Sequence, residues 1–521
     1  MKLSSIVGIL FQGFPQMYYL AGRCKGAGFN NMPSPVEIPY RSFIQIDRKS
    51  STPVYLQIAN EFIKAIQRNT LSANSKLLGT RALSHLLDTH RNTIVAAYDE
   101  LAAQGWISIQ PNRGAYVSAA LPINEKRKIN KPVYPAKTGF SFKRSLLLDS
   151  PYEQGNFQYI LNDGTPDIRL TQIDDLSRIY SSTIKRKGNR RKMDYYNQEG
   201  SEYFKEQLLA YLHLSRGLHV SSTNVLITRS TEMSLFIISE ILLKPNDNVV
   251  VGELSYFSAN MIFQKNGANI QTIPINDQGI DTDALAELCE RMPIRMVYVS
   301  PQHHYPTTVT LSAKRRIALL ALAEHYGFAI VEDDQDYDFH YNKQPMLPIA
   351  TADTKGMVIY VSSFGKSLVP GFRTGFIVAP ENLMLEMRKH LGIIDRQGDV
   401  LMEQALGEMI EEGVIHRHLK KSLKIYKERR DQMAEILQND FSSYLHTDIP
   451  TGGLAFWLQF KLPTNLLKLS RDCAQRGLFV PKTTLYQSKQ ITGIRLGFGN
   501  LNSKELSESL ALLKSSLDSL N

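Results

Sequence analysis

The chain has 521 residues, 43% of them hydrophobic, with unexceptional Gly and Pro content, so it reads as globular and long enough for a small domain beside a large one. A formal net charge of +10 favours a polyanionic partner. Three widely spaced cysteines (Cys24, Cys289, Cys473) argue against a disulfide framework or a zinc site, no metal is expected, and no stretch has the length of a membrane span, which makes a reducing cytoplasm the expected compartment.

Residues 1–40 read as an extension. Its apolar patch, Ile6 to Phe11, faintly resembles a signal peptide but is broken by Gln12, Gly13 and Pro15, and Met32 is the expected true start. Residues 41–118 form the first domain. Apolar spacing predicts a helix from Val54 to Ile66, opened by Pro53. A second is expected from Thr80 to Leu87 with Thr80 as its N-cap, and a third from Arg91 to Gln104, closed by Gly105. The alternating Trp106–Gln110, the turn Pro111-Asn112-Arg113-Gly114 and the returning Ala115–Ser118 predict a hairpin. Three helices and a hairpin make a winged helix-turn-helix. Residues 119–155 read as a basic, Pro-punctuated linker, since Ala119–Ser150 holds seven Lys or Arg against two acids. A second basic run, Lys185 to Lys192, carries six cations; beside a DNA-binding module both runs suggest phosphate contact.

Residues 156–521 form the second domain, with a large part to about residue 400 and a small part over about 401–521. Apolar runs at 248–251, 296–300, 328–331 and 357–361 alternate with helical stretches, including one from Ala313 to Tyr326 between Ser312 and Gly327. That pattern predicts a mostly parallel sheet wrapped in helices. Strand-like pieces at 454–460 and 493–498 suit a smaller α+β part.

The most informative segment is Ser362-Ser363-Phe364-Gly365-Lys366-Ser367-Leu368-Val369-Pro370-Gly371-Phe372-Arg373. A lysine among hydroxyls and small residues, with an arginine seven positions on, suits pyridoxal 5'-phosphate. The amine forms a Schiff base with its aldehyde, and Ser363 and Arg373 hold its phosphate. Upstream, Val331-Glu332-Asp333-Asp334 ends an apolar run and offers a carboxylate to a protonated pyridine nitrogen.

These two halves resemble two known families. Residues 53–118 are similar to the winged helix of GntR-type bacterial regulators, through Gly79-Thr80-Arg81-Ala82-Leu83 and His90-Arg91-Asn92-Thr93-Ile94. Residues 156–521 resemble fold-type I aminotransferases, and the fusion in this order looks like the MocR subfamily. The first resemblance implies DNA contacts by Arg81, Arg91, Asn92 and Thr93 near helix N-termini, and by Arg113 and Gly114 at the wing. The second implies Lys366 as the Schiff-base lysine, Asp333 as the pyridine-nitrogen partner and Arg373 as the phosphate arginine. By the same likeness Tyr256 stacks on the cofactor, Tyr305 faces its O3', and Tyr195 reaches a phosphate across a homodimer interface. Ser230, Thr231 and Glu232 open the phosphate-cradling helix, and Arg495 grips a substrate or effector carboxylate. Two positions depart from the family: Gln335 stands where a Tyr is common, and Ser230 where a Gly begins the cradling helix. The reading that follows is a regulator that binds operator DNA and senses the cofactor or an amino compound through aldimine chemistry. An active aminotransferase carrying a DNA-binding module is the alternative, and a decayed dimerisation scaffold a third.

Overall fold

The computed structural model describes residues 40–119, 135, 137–148, 157–194, 199–341, 345–368, 370–481 and 491–520. Residues 1–39 of the expected extension, much of the linker and Tyr195 lie outside these residues, whereas Tyr40, expected in the extension, is buried in the core of the first unit. Internal contacts divide the chain into two compact units that meet in sequence at Phe142 and Lys143.

In the first unit, α1 (Val54–Gln67), α2 (Thr80–Leu86) and α3 (Arg91–Ala103) precede the antiparallel strands β1 (Ile107–Gln110) and β2 (Gly114–Val117). Ile58, Phe62, Leu83, Ile94, Tyr98 and Leu101 form one core with Trp106 and Val117. Two tyrosine hydroxyls clamp the Leu78 backbone ahead of α2. Tyr98 donates to its carbonyl at 2.8 Å, and Tyr40 accepts from its amide at 3.1 Å. Thr80 is the first helical residue of α2 and not its cap: extended Gly79 occupies the cap, with no side-chain bond. At α3 the cap is His90, whose Nδ1 accepts from the Asn92 amide at 3.3 Å. The hairpin turn needs left-handed backbone at Asn112 (φ 60) and Gly114 (φ 106), residue types that tolerate it.

The second unit is built on a seven-stranded sheet. After α4 (Glu202–Arg216) come β3 (Val225–Thr228), α5 (Thr231–Leu242), β4 (Asn248–Gly252), β5 (Asn269–Ile273), β6 (Met296–Val299), α6 (Ala313–Tyr326), β7 (Ala329–Asp333), β8 (Val358–Ser363) and β9 (Gly375–Val378). Their spatial order is β3-β9-β8-β7-β6-β4-β5, with β9 alone running against the others. All residues of β3, β6 and β9 are buried, as expected of strands covered by helices on both faces. The predicted helix at 313–326 is α6, with Ser312 accepting from the Arg315 amide and left-handed Gly327 ending it. The strand after it starts one residue later than its apolar run suggests and continues through the acidic pair Glu332–Asp333.

The chain then passes through α7 (Val414–Asp440) into an antiparallel sheet of β10 (Leu445–Thr447), β11 (Ala455–Phe460) and β12 (Gly493–Gly497). Helix α7 spans two cores. Val414, Ile415 and Leu419 pack with the helices beside the large sheet, whereas Tyr426, Met433 and Leu437 pack with β11 and β12. Leu161 joins the latter core, and the short strand Tyr159–Ile160 pairs in parallel with Leu478–Phe479. Among the described residues, no helix is long and apolar enough to cross a membrane.

Candidate functional site

Because β3, β4, β6, β7 and β8 point the same way, the loops leaving their carboxyl ends gather along one edge of the sheet. Ligands of open α/β sheets bind at such an edge. These loops carry Ser230, Tyr256, Tyr305, Asp333 and Lys366. Strand β12 adds Arg495. Tyr256, Tyr305, Asp333, Asp336, Lys366 and Arg495, with neighbours, line one cleft.

Asp333 ends β7 and is 2% exposed. Its Oδ2 accepts from the Tyr298 hydroxyl at 2.6 Å and from Gln335 Nε2 at 2.9 Å. Its Oδ1 is buried and has no hydrogen-bond partner among the described residues. Burial pushes the carboxyl up to about 7, with Glu232 adding to the rise and Tyr298, Gln335 and Lys366 opposing it. A buried carboxyl with one oxygen unsatisfied fits a protonated ring nitrogen, which supplies both the missing hydrogen bond and the missing charge. Gln335, standing where the family commonly has a Tyr, thus gives its amide to Asp333.

Lys366 follows β8, and its Nζ lies 2.9 Å from Asp336 Oδ1. Arg495 is 1% exposed. Its Nε donates to the Asp163 carbonyl at 2.9 Å and its Nη1 to the Pro306 carbonyl at 3.0 Å. Its Nη2 is 3.6 Å from Asp336 Oδ2, and the Tyr305 ring lies under the guanidinium at 5.0 Å. Tyr305 meets Tyr256 edge-on at 5.1 Å, and its hydroxyl donates to Asp163 Oδ2 at 3.3 Å. Burial alone pushes the Asp336 carboxyl up, but Lys366 and Arg495 outweigh it and hold it below the usual carboxylate range.

The other end of the site is the N-terminus of α5. Ser230 caps this helix, its hydroxyl accepting from the Met233 amide at 3.3 Å, and Thr231 is buried behind it. Gly375 allows β9 to approach this turn: a Cβ there would lie 3.0 Å from Thr228 Oγ1 and 3.2 Å from the Ser230 carbonyl carbon. Glu232 accepts from the Tyr256 hydroxyl at 2.8 Å. Although desolvation raises it, Ser230, its own amide, Tyr256 and the charge of Arg373 hold its carboxyl below its usual value. Arg373 is exposed and left-handed (φ 47), and Ser363 is half-buried at the end of β8. Ser363 and Arg373, with the helix start whose Glu232 feels the charge of Arg373, fit a phosphate.

The structure also adds residues that sequence reasoning missed. Asp336 links Lys366 to Arg495, and Asp163 holds Arg495 and Tyr305. His303 lines the same cleft, fully enclosed, with burial pushing it down to about 3, so it is neutral. These contacts join positions tens to hundreds of residues apart, and no local spacing signals them.

In the first unit Arg81, Arg91 and Asn92 are exposed and Thr93 is half-buried, all in the first turns of α2 and α3. Arg113 and Gly114 are exposed at the hairpin turn. Lys76, which carried no sequence signal, joins that turn, with its Nζ 5.9 Å from the centre of the Tyr116 ring.

The buried acid at Asp333 gives a stability prediction. The unfolded chain releases this proton near pH 4, but the folded apoprotein keeps it to about pH 7, so the carboxyl's cost grows across that interval and is complete above it. Asp333→Asn should raise the apoprotein's melting temperature by a few degrees at pH 8 and by less at pH 5, as read by calorimetry. The same change should weaken pyridoxal phosphate binding.

Two family models match the chain: bacterial regulatory proteins of the gntR family over residues 54–117, and aminotransferase class I and II over residues 164–513. The probable rhizopine catabolism regulatory protein MocR of Rhizobium meliloti is 25% identical over 476 residues, spanning 90% of this chain and 95% of the relative. The HTH-type transcriptional regulator TauR of Rhodobacter capsulatus is 25% identical over 400 residues, spanning 74% and 79%. Among solved structures, a Pyrococcus horikoshii kynurenine aminotransferase superposes with a TM-score of 0.65 at 25% identity, covering 70% of this chain and 91% of that one.

Proposed function

Because the chain belongs to the class I and II aminotransferase family and carries a gntR-family winged helix ahead of that domain, we propose that it is a DNA-binding transcription regulator whose larger unit senses pyridoxal phosphate or an amino compound. Pyridoxal 5'-phosphate is the cofactor this fold implies. The observation that carries the reading is the pairing, in one chain, of two unlike features. One is a set of exposed helix N-termini bearing Arg81, Arg91 and Asn92. The other is a cleft where Lys366 and the half-satisfied Asp333 face one ligand.

When bound, the cofactor supplies an aldehyde that condenses with amines and a ring that withdraws electrons. Lys366 provides the resident amine, and Asp333 holds the ring nitrogen's proton at its Oδ1. Tyr298 and Gln335 fix the orientation of that carboxylate through its other oxygen. Tyr256 would offer a ring face to the cofactor and Tyr305 a hydroxyl, while Ser230, Thr231, Ser363 and Arg373, with Glu232 beside them, would hold its phosphate. Glu232 places an anion there, and Gln335 spends its amide on Asp333, two features that favour sensing over efficient transamination. A DNA partner supports a cytoplasmic location. We take it to work as a homodimer in which Tyr195 completes the neighbouring cofactor site.

A ligand shifts DNA affinity only by binding one conformation better than another, and a tenfold shift needs about 1.4 kcal/mol of difference. The test is modular. A truncated chain lacking residues 1–118 should bind its promoter at least ~100-fold more weakly in a mobility-shift assay, yet still turn yellow with pyridoxal phosphate. Equal promoter affinity in the truncated and full chains would overturn the reading.

A further inference from the structure

We propose that Asp336 sets ligand specificity in the Lys366 cleft: by holding Arg495 from inside, it makes the cleft take amines without a carboxylate in preference to amino acids. The inference rests on the functional reading above, and it concerns which amino compound is read.

A guanidinium grips a carboxylate through two parallel N–H groups, along either its Nη1/Nη2 edge or its Nε/Nη2 edge. Each edge of Arg495 has one nitrogen bonded to a backbone carbonyl, and the nitrogen the two edges share is ion-paired with Asp336. Nη1 is committed to the Pro306 carbonyl, Nε to the Asp163 carbonyl, and Nη2 faces Asp336 Oδ2 at 3.6 Å. One face of the group is covered by Tyr305. Arg495 is 1% exposed and lines the cleft beside Asp336, so an arriving anion meets it already paired.

Its charge is matched as well. Asp336 is 5% exposed and ionised, and its two oxygens divide between Lys366 and Arg495. Once Lys366 is committed to the cofactor, Arg495 is the main cation left to Asp336. A ligand carboxylate therefore gains Arg495 only by displacing a buried carboxylate, which would be left without its counter-charge, a costly exchange in a dry site. Glu232, which accepts from the Tyr256 hydroxyl, adds a second anion beside a cleft residue. An incoming ammonium, in contrast, meets Asp336 as a ready partner. Asp336 thus works as a repulsive element against amino acids as much as an attractive one for amines.

The experiment uses the full-length protein loaded with pyridoxal 5'-phosphate and follows its visible spectrum during titration with three probes of equal chain length: butylamine, 1,4-diaminobutane and 4-aminobutanoate. The two amines should perturb the spectrum at concentrations about tenfold lower than 4-aminobutanoate, and D336N should reverse that order. A second measurement avoids the cofactor. Calorimetry on the apoprotein should show glutarate binding to D336N and not to the wild type. If D336N fails to fold, the wild-type ranking decides alone. A wild type that prefers 4-aminobutanoate, or that binds glutarate as well as D336N does, overturns the proposal. If pyridoxal phosphate produces no visible band at all, the functional reading fails instead, and the glutarate comparison still judges the role of Asp336.

Discussion

Replacing Lys366 with alanine should abolish the visible absorption that pyridoxal phosphate produces in the wild-type protein. Among the described residues no other lysine lines the cleft, so the variant loses the amine that meets the aldehyde. Loss of the covalent tether should also weaken retention of the cofactor by at least ~100-fold, a difference of about 2.7 kcal/mol, read by dialysis or fluorescence quenching. Asp336 then keeps its ion pair with Arg495. An unchanged spectrum would mean that another lysine holds the cofactor.

The second large effect is expected at the N-terminus of α3. Arg91 is the first helical residue and exposed, next to exposed Asn92, with the cap already satisfied by His90. If its guanidinium reads a guanine edge, Arg91→Ala should cost about 1–3 kcal/mol of operator affinity and relax preference at one base position. Arg113→Ala at the wing should instead weaken all sequences alike and shallow the salt dependence by about one unit. Binding isotherms at several salt concentrations, on operator and scrambled DNA, separate the two. A purely uniform loss at Arg91 would assign it to the phosphate backbone.

Much of this was readable in the sequence, for definable reasons. Lys366 and Asp333 end segments whose apolar runs betray buried strands, so their position at a strand's carboxyl edge follows from pattern alone. The winged helix was legible because its helices carry clean apolar spacing and its turn carries Asn and Gly where positive φ is needed. Capping was misread at Thr80, because a hydroxyl residue beside a glycine looks like a cap whichever of the two occupies it; here extended Gly79 does. Asp336 escaped notice because it sits in an acid-rich run, Glu332 to Asp338, where nothing local separates a ligand-facing carboxylate from a structural one. Only its partners, 30 and 159 positions away, distinguish it.

That acid-rich run has a consequence of its own. Glu332 accepts from the Ile349 and Ala350 amides at 2.8 and 2.9 Å. Asp334 accepts from Tyr360 at 2.6 Å, and Asp338 is held by Arg216, Tyr211 and Ser367. Arg216 in turn lies against the Tyr337 and Tyr211 rings. The bonds that hold these anchors do not involve the side chains at 335 and 336, which reach instead to Asp333, Lys366 and Arg495. The run therefore divides its labour residue by residue: some letters carry the frame of the loop, and the letters between them carry the surroundings of the ligand.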